Sequence, residues 1–170
     1  MRLRPVTQAA GHGEKGVAAV EIGLTVVLLF ALIFLVMDLS MLVFVKSTLQ
    51  EAVRDGVRVG VTGTQVGSNI YLNDSIRAAV QASASGFLNG TAGACKIQID
   101  YFNPDTGANS TGTQGDVLVV SVNGYNYTPL AALLKSVDPL AISVSSSDIV
   151  ERCQASGCPT TQNPNPLVCN

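Results

Sequence analysis

The chain has 170 residues, room for one compact domain and an anchor but not for two large domains. Apolar residues make up 47% and charged residues only 13%, against roughly a quarter charged in ordinary soluble domains, and the deficit is concentrated in the first third. A formal net charge of −2 offers no basic surface for nucleic acid.

Met1 to Gly16 reads as a leader. Arg2, Arg4 and Lys15 are opposed only by Glu14, and Pro5, Gly11 and Gly13 discourage a helix. Past the apolar run that follows, the chain is net acidic. The positive-inside rule therefore sets the N-terminus in the cytoplasm and the remainder across the membrane.

From Val17 to Val45 the sequence is apolar with two charges, Glu21 and Asp38. A cleaved secretory signal would have about 7–15 apolar residues followed by a small-residue site. This run is longer, and Met37 to Leu42 contains no such site. Val17 to Asp38 spans about 32 Å as a helix, close to the roughly 30 Å hydrocarbon core, so the segment reads as a retained anchor. Glu21 then falls just inside the cytoplasmic face, and Asp38 falls at the outer interface, where it can remain hydrated and where a structural or topological role is expected. An acidic side chain costs about 2.5–3.5 kcal/mol at mid-membrane and somewhat less near the interface, so Glu21 needs a partner. Cutting the chain between Gly16 and Val17 creates one: the new α-amino group lies one helical turn before Glu21 and can neutralise it, on the same chain or on a neighbour.

The helix continues without proline to about Gly60 and turns amphipathic. Leu42, Val45, Leu49, Ala52, Val53, Gly56 and Val57 line one face, and Lys46, Gln50, Glu51, Arg54, Asp55 and Arg58 take the other. Glu51 is in reach of Arg54 and Asp55 of Arg58. Ala52, Gly56 and Gly60 form a small-residue ridge, read as packing against the chain's own sheet in preference to a subunit contact. A loop from Thr62 to Asn69 ends the helix. A second helix is predicted over Asn73–Phe87, capped by Asn73 or Asp74 and stopped by Gly86 and Gly90.

Cys95 to Tyr101 alternates as a half-buried strand, Asn103 to Gly115 is a long exposed loop, and Asp116 to Val122 is a second strand. Thr128-Pro129 opens a short helix through Lys135, and Leu140, Ile142 and Val144 mark a third strand. Ser145 to Asp148 reads as polar surface at its end. From Cys153 the chain is an irregular, proline-containing tail. The division is thus a leader (1–16), a long helix (17–60, anchor about 17–38), an α+β domain (61–152) and a tail (153–170). The fold class is α+β: a long membrane-spanning helix running into a small domain with a second helix and a three-stranded, mainly antiparallel sheet.

Cys95, Cys153, Cys158 and Cys169 all lie beyond the membrane, in an oxidising compartment where disulfides persist. Their spacing and the absence of a retained histidine disfavour zinc. Three pairings are possible. Cys95 with Cys153 and Cys158 with Cys169 is placed first, because it ties the outer segments of the sheet. Cys153 with Cys158 and Cys95 with Cys169 is the alternative.

Three elements in order carry a resemblance: Gly16-Val17-Ala18-Ala19-Val20-Glu21, the exit Met37-Asp38-Leu39-Ser40, and Leu49 through Arg58. The first looks like a prepilin processing signal. Together they resemble the TadE-like family, minor pseudopilins of the Tad (Flp, type IVb) pilus. Ile22 stands where family members often carry Phe or Tyr. The resemblance implies a pilin-like protein of the bacterial inner membrane. A prepilin peptidase would cleave it after Gly16, leaving Val17 as the first residue, and Glu21 would act in assembly. The periplasmic domain would join other pilin and pseudopilin subunits in an extracellular pilus used for adhesion and biofilm formation. Lipid, peptidase and pilin subunits are the expected partners; no nucleic acid, small-molecule substrate, cofactor or metal is expected.

An enzyme reading finds little support. His12 is the only histidine and lies in the leader, and no triad, zinc cluster, P-loop or dinucleotide fingerprint is present. The competing reading is a signal-anchored periplasmic binding module unrelated to pili, which explains the span but leaves Glu21 unpaired.

Overall fold

The computed structural model describes residues 12–64, 71–130, 139–151 and 169. Among these residues three helices and three strands follow in order: α1 (His12–Thr62), α2 (Leu72–Ser83), α3 (Gly90–Ala94), β1 (Ile97–Phe102), β2 (Val117–Tyr127) and β3 (Leu140–Ile149). The strands form one antiparallel sheet in the order β1-β2-β3, so the chain is α+β as the sequence pattern predicts.

α1 starts at His12, five residues before Val17, so Gly13 lies inside it and does not break it. Gly13 is the second residue of the helix, in the first turn, where a glycine costs less than the roughly 1 kcal/mol of the interior. Its first half is bare. Its second half buries Val45, Leu49, Ala52, Val53, Val57 and Val61 against α2 and the sheet. The opposing core comes from Leu72, Ile76 and Val80 of α2, from Leu118, Val120 and Val122 of β2, and from Ile142 and Val144 of β3.

The small-residue ridge is an intramolecular contact, mainly with α2. A Cβ on Gly56 would sit 2.4 Å from Val80 Cγ2, and one on Gly60 would sit 2.2 Å from Leu118 Cδ2 and 3.0 Å from Ile76 Cδ1. Only glycine lets α1 approach this closely.

Several local expectations are corrected. α2 ends at Ser83, because Ser85 and Gly86 adopt φ of 49° and 89° and turn the chain before Phe87. Tyr71 holds the N-cap position of α2 without a side-chain bond. Asn73 instead accepts from the Tyr101 hydroxyl at 2.9 Å, and Asp74 pairs with Arg77 at 3.6 Å. Glu51 pairs with Arg54 at 3.9 Å, whereas Asp55 accepts from Ser83 Oγ on α2. The short α3 begins at Gly90, one of the two glycines expected to stop the second helix. β2 runs on past Val122 to Tyr127 because a bulge between Val122 and Tyr125, with Gly124 at φ 64°, absorbs the irregularity. The helix expected from Pro129 through Lys135 falls mostly on residues 131–135, outside the described residues. The tail does so as well, except for Cys169.

β2 fixes the polarity of the domain. Its first residue, Val117, pairs with Phe102 and Ile149, while Tyr127 at its far end reaches Asp38 of α1. The loop from Asn103 to Asp116 is therefore remote from Asp38, by roughly the 33 Å length of β2.

Candidate functional site

The upper and lower halves of α1 differ in what surrounds them. From Gly16 to Met37 all its large apolar residues but the half-buried Leu35 are exposed, with Val20 at 72% and Leu24 at 68%. Over Gly16–Thr62 α1 is long and apolar enough to cross a membrane. Leu24, Val27, Leu28, Ala31, Leu32 and Leu35 line an open apolar groove along one side, a spacing that repeats every three or four residues.

Gly16 and Val17 lie within the helix, and a Cβ on Gly16 would meet nothing within 4 Å. Glu21 is exposed. Its main-chain oxygen accepts from Thr25 Oγ at 2.8 Å, and among the described residues no cation reaches its carboxylate. The four-residue offset from Val17 to Glu21 is helical, so the two positions share one face.

Asp38 departs from the expectation of a hydrated residue at the interface. It is 1% exposed. Its Oδ1 accepts from the Leu130 main-chain N–H at 3.0 Å and from the Tyr127 hydroxyl at 3.2 Å. The physical reason is the chain path: β2 descends along α1 and delivers Tyr127 and the turn after it onto the carboxylate. Burial first, and then the Asp38 hydrogen bond and charge, push the Tyr127 phenol above its ordinary range. Sequence reasoning missed Tyr127 and Leu130 as partners, since a separation of about ninety residues leaves no periodic signal.

Above this junction Phe44, Phe87 and Tyr125 form a chain of edge-to-face contacts with centroids 6.1 and 6.0 Å apart. They join α1, the turn after α2, and β2. Tyr101, buried behind α2, has its phenol pushed up to about 12 by burial, which the nearby Arg77 charge partly offsets.

At the remote end, Asp116 organises the exposed loop. Its Oδ2 accepts from Ser110 Oγ and from the main-chain N–H and Oγ of Thr113. The Ser110 bond first, with those from Thr113, holds its carboxyl below the ordinary range against the opposing effect of burial. Asn103 adds an Asx turn by accepting from the N–H groups of Asp105 and Thr106.

Cys95 is joined to Cys169, with an S–S distance of 2.08 Å and a sequence separation of 74. The pairing placed first from the sequence, Cys95 with Cys153 and Cys158 with Cys169, is therefore not the one found. α3 holds Cys95 beside the start of β1, where Cys169 meets it, whereas β3 finishes at the remote end. Cys153 and Cys158 lie outside the described residues. Among the described residues no cluster of His, Cys, Asp or Glu could hold a metal ion.

The family model for TadE-like protein matches residues 16–58. That span covers the bare half of α1, Asp38 and most of the packed half, and it implies a protein associated with the Tad pilus. No curated protein and no solved structure matches the chain.

Proposed function

We propose, from the TadE-like match over residues 16–58, that this protein is a minor pilin or pseudopilin that takes part in assembling a Tad pilus. The observation that carries the reading is the coincidence of that match with a bare, apolar helix half that from Gly16 to Met37 carries one charge, Glu21. A helix of this kind has two environments available, lipid and other helices of its own type. The α+β domain would stand in the periplasm, with the N-terminus in the cytoplasm and residues 1–16 removed on maturation.

A prepilin peptidase cutting after Gly16 would generate the ammonium on Val17 that neutralises Glu21, within one subunit or between neighbours. An uncompensated carboxylate costs about 2.5–3.5 kcal/mol at mid-membrane and less near the interface where Glu21 would lie, so pairing with the Val17 ammonium would lower the cost of holding this helix in lipid. The groove from Leu24 to Leu35 gives neighbouring helices a surface on which to pack. Adhesion and biofilm formation would follow from the pilus itself.

The intact mass of protein purified from membranes tests this. Loss of residues 1–16 is expected in the wild type, and retention of the full chain is expected in Gly16→Leu. A Cβ at Gly16 meets nothing within 4 Å, so a block there reports recognition by the peptidase and not misfolding. Normal trimming of Gly16→Leu, or an untrimmed wild type, would overturn the reading in favour of a signal-anchored binding module.

A further inference from the structure

The exposed face of α1 stays apolar well beyond Asp38. Leu39, Met41, Val43 and Phe44 are all exposed, with Val43 at 64%, and the first exposed charge is Lys46. Asp38 to Lys46 is about 12 Å along a helix. Over that same stretch the opposite face, Asp38, Leu42 and Val45, is covered by the base of the domain. The domain therefore sits beside helix surface of the same character as the span itself. Glu21 to Lys46 measures about 38 Å, longer than the roughly 30 Å hydrocarbon core and within the 40–45 Å that includes the headgroup layers.

Leu130 projects from this base. At 85% it is the most exposed large apolar side chain among the described residues of the domain, where only Ile149 at the remote end also stands out. Its main-chain N–H is bound to Asp38, so the side chain is held at the level where α1 leaves the span. Tyr127, Tyr125, Phe87 and Phe44 lie close by, the amphipathic and aromatic types that concentrate at membrane–water boundaries.

We infer that the base of the domain, led by Leu130, is seated in the outer-leaflet interface of the bilayer that α1 crosses. Asp38 is tolerated at that depth because the domain covers it and supplies its hydrogen bonds. The surface is continuous with the lipid-facing helix, which favours lipid over a second copy of the chain as the occupant. The inference rests on the membrane-anchored reading above and adds the depth and orientation of the domain. An intramembrane acid that would otherwise be costly thereby becomes the group that fixes how low the domain rides.

The chain contains no tryptophan, so single tryptophans report one place each. The full-length protein would be reconstituted in phosphatidylethanolamine–phosphatidylglycerol vesicles as Leu130→Trp, Phe34→Trp and Ile149→Trp. Leu130→Trp retains the main-chain N–H that Asp38 accepts. Its emission is expected to lie to the blue of Ile149→Trp, with several-fold lower quenching by acrylamide. Lipids brominated near the carbonyl should quench it more than lipids brominated near the chain ends, while Phe34→Trp shows the reverse preference. If Leu130→Trp behaves like Ile149→Trp while Phe34→Trp is quenched by lipid, the seating is wrong and the anchor stands. A water-accessible Phe34→Trp would remove the anchor and the seating with it. Protection of Leu130→Trp that fades as the protein is diluted with excess lipid would identify a second copy as the occupant and overturn the inference.

Discussion

Asp38→Ala removes the acceptor that holds the end of β2 to α1, and its cost can be worked from the contacts. A hydrogen bond to a charged group contributes about 1.5–3 kcal/mol. The Tyr127 bond, at 3.2 Å from a half-buried phenol that can turn towards water, belongs at the low end. The Leu130 N–H at 3.0 Å is a main-chain donor whose position is set by the chain path, so its loss leaves a donor unsatisfied. Against these stands the desolvation cost that the buried carboxylate no longer incurs. The net loss is about 2–4 kcal/mol, confined to the junction because the core around Leu49 and Leu118 is untouched. Asp38→Asn keeps an oxygen in place and should lose about 1–2 kcal/mol, since neutral hydrogen bonds are about half as strong. Hydrogen exchange of full-length protein in micelles, read by mass spectrometry, measures this directly. Peptides covering residues 125–130 should exchange about 30- to 1000-fold faster in Asp38→Ala, with β1 peptides unchanged. Unchanged exchange at 125–130 would refute the role of Asp38 in holding the junction. Equal effects of Asn and Ala would show that the charge, and not the oxygen, holds the junction.

Gly60→Ala gains about 1 kcal/mol of helix propensity but overpacks the core at Leu118 and Ile76 by about 1–3 kcal/mol, so its melting temperature should fall. Gly23→Ala, with open space around it, should not melt lower. Non-reducing peptide mapping should link Cys95 to Cys169, and Cys169→Ser should destabilise by about 2–4 kcal/mol in urea unfolding, because the bridge closes a long loop. The raised Tyr101 phenol favours the folded state while neutral. Its contribution is intact below the unfolded value near pH 10 and is lost as pH rises towards about 12, on the order of 2–3 kcal/mol, and Tyr101→Phe should flatten that part of the stability profile. Glu21→Ala should insert into membranes at least as readily as wild type yet fail to assemble, and wild-type piliation in that strain would count against the pairing with the Val17 amine.

Periodicity and composition alone were enough to read the long helix, its change from bare to amphipathic, the second helix and three alternating strands, because each of those signals lies within a few neighbouring residues. The run from Gly16 to Glu21 was likewise legible, since its meaning depends on one helical turn. Tertiary structure decided everything that joins distant positions. Asp38 was read as hydrated because the local sequence shows only a carboxylate after an apolar run; its burial depends on β2 extending to Tyr127 through a bulge at Gly124 that no alternation pattern marks. Gly56 and Gly60 announced a close approach but not that α2 would fill most of it. Four cysteines permit three pairings, and the one joining Cys95 to Cys169 follows from where α3 and the end of the chain meet in space. Local pattern sets which face of each element is apolar. Which side chain meets which, and which charge is covered, depends on the register and path of the whole chain.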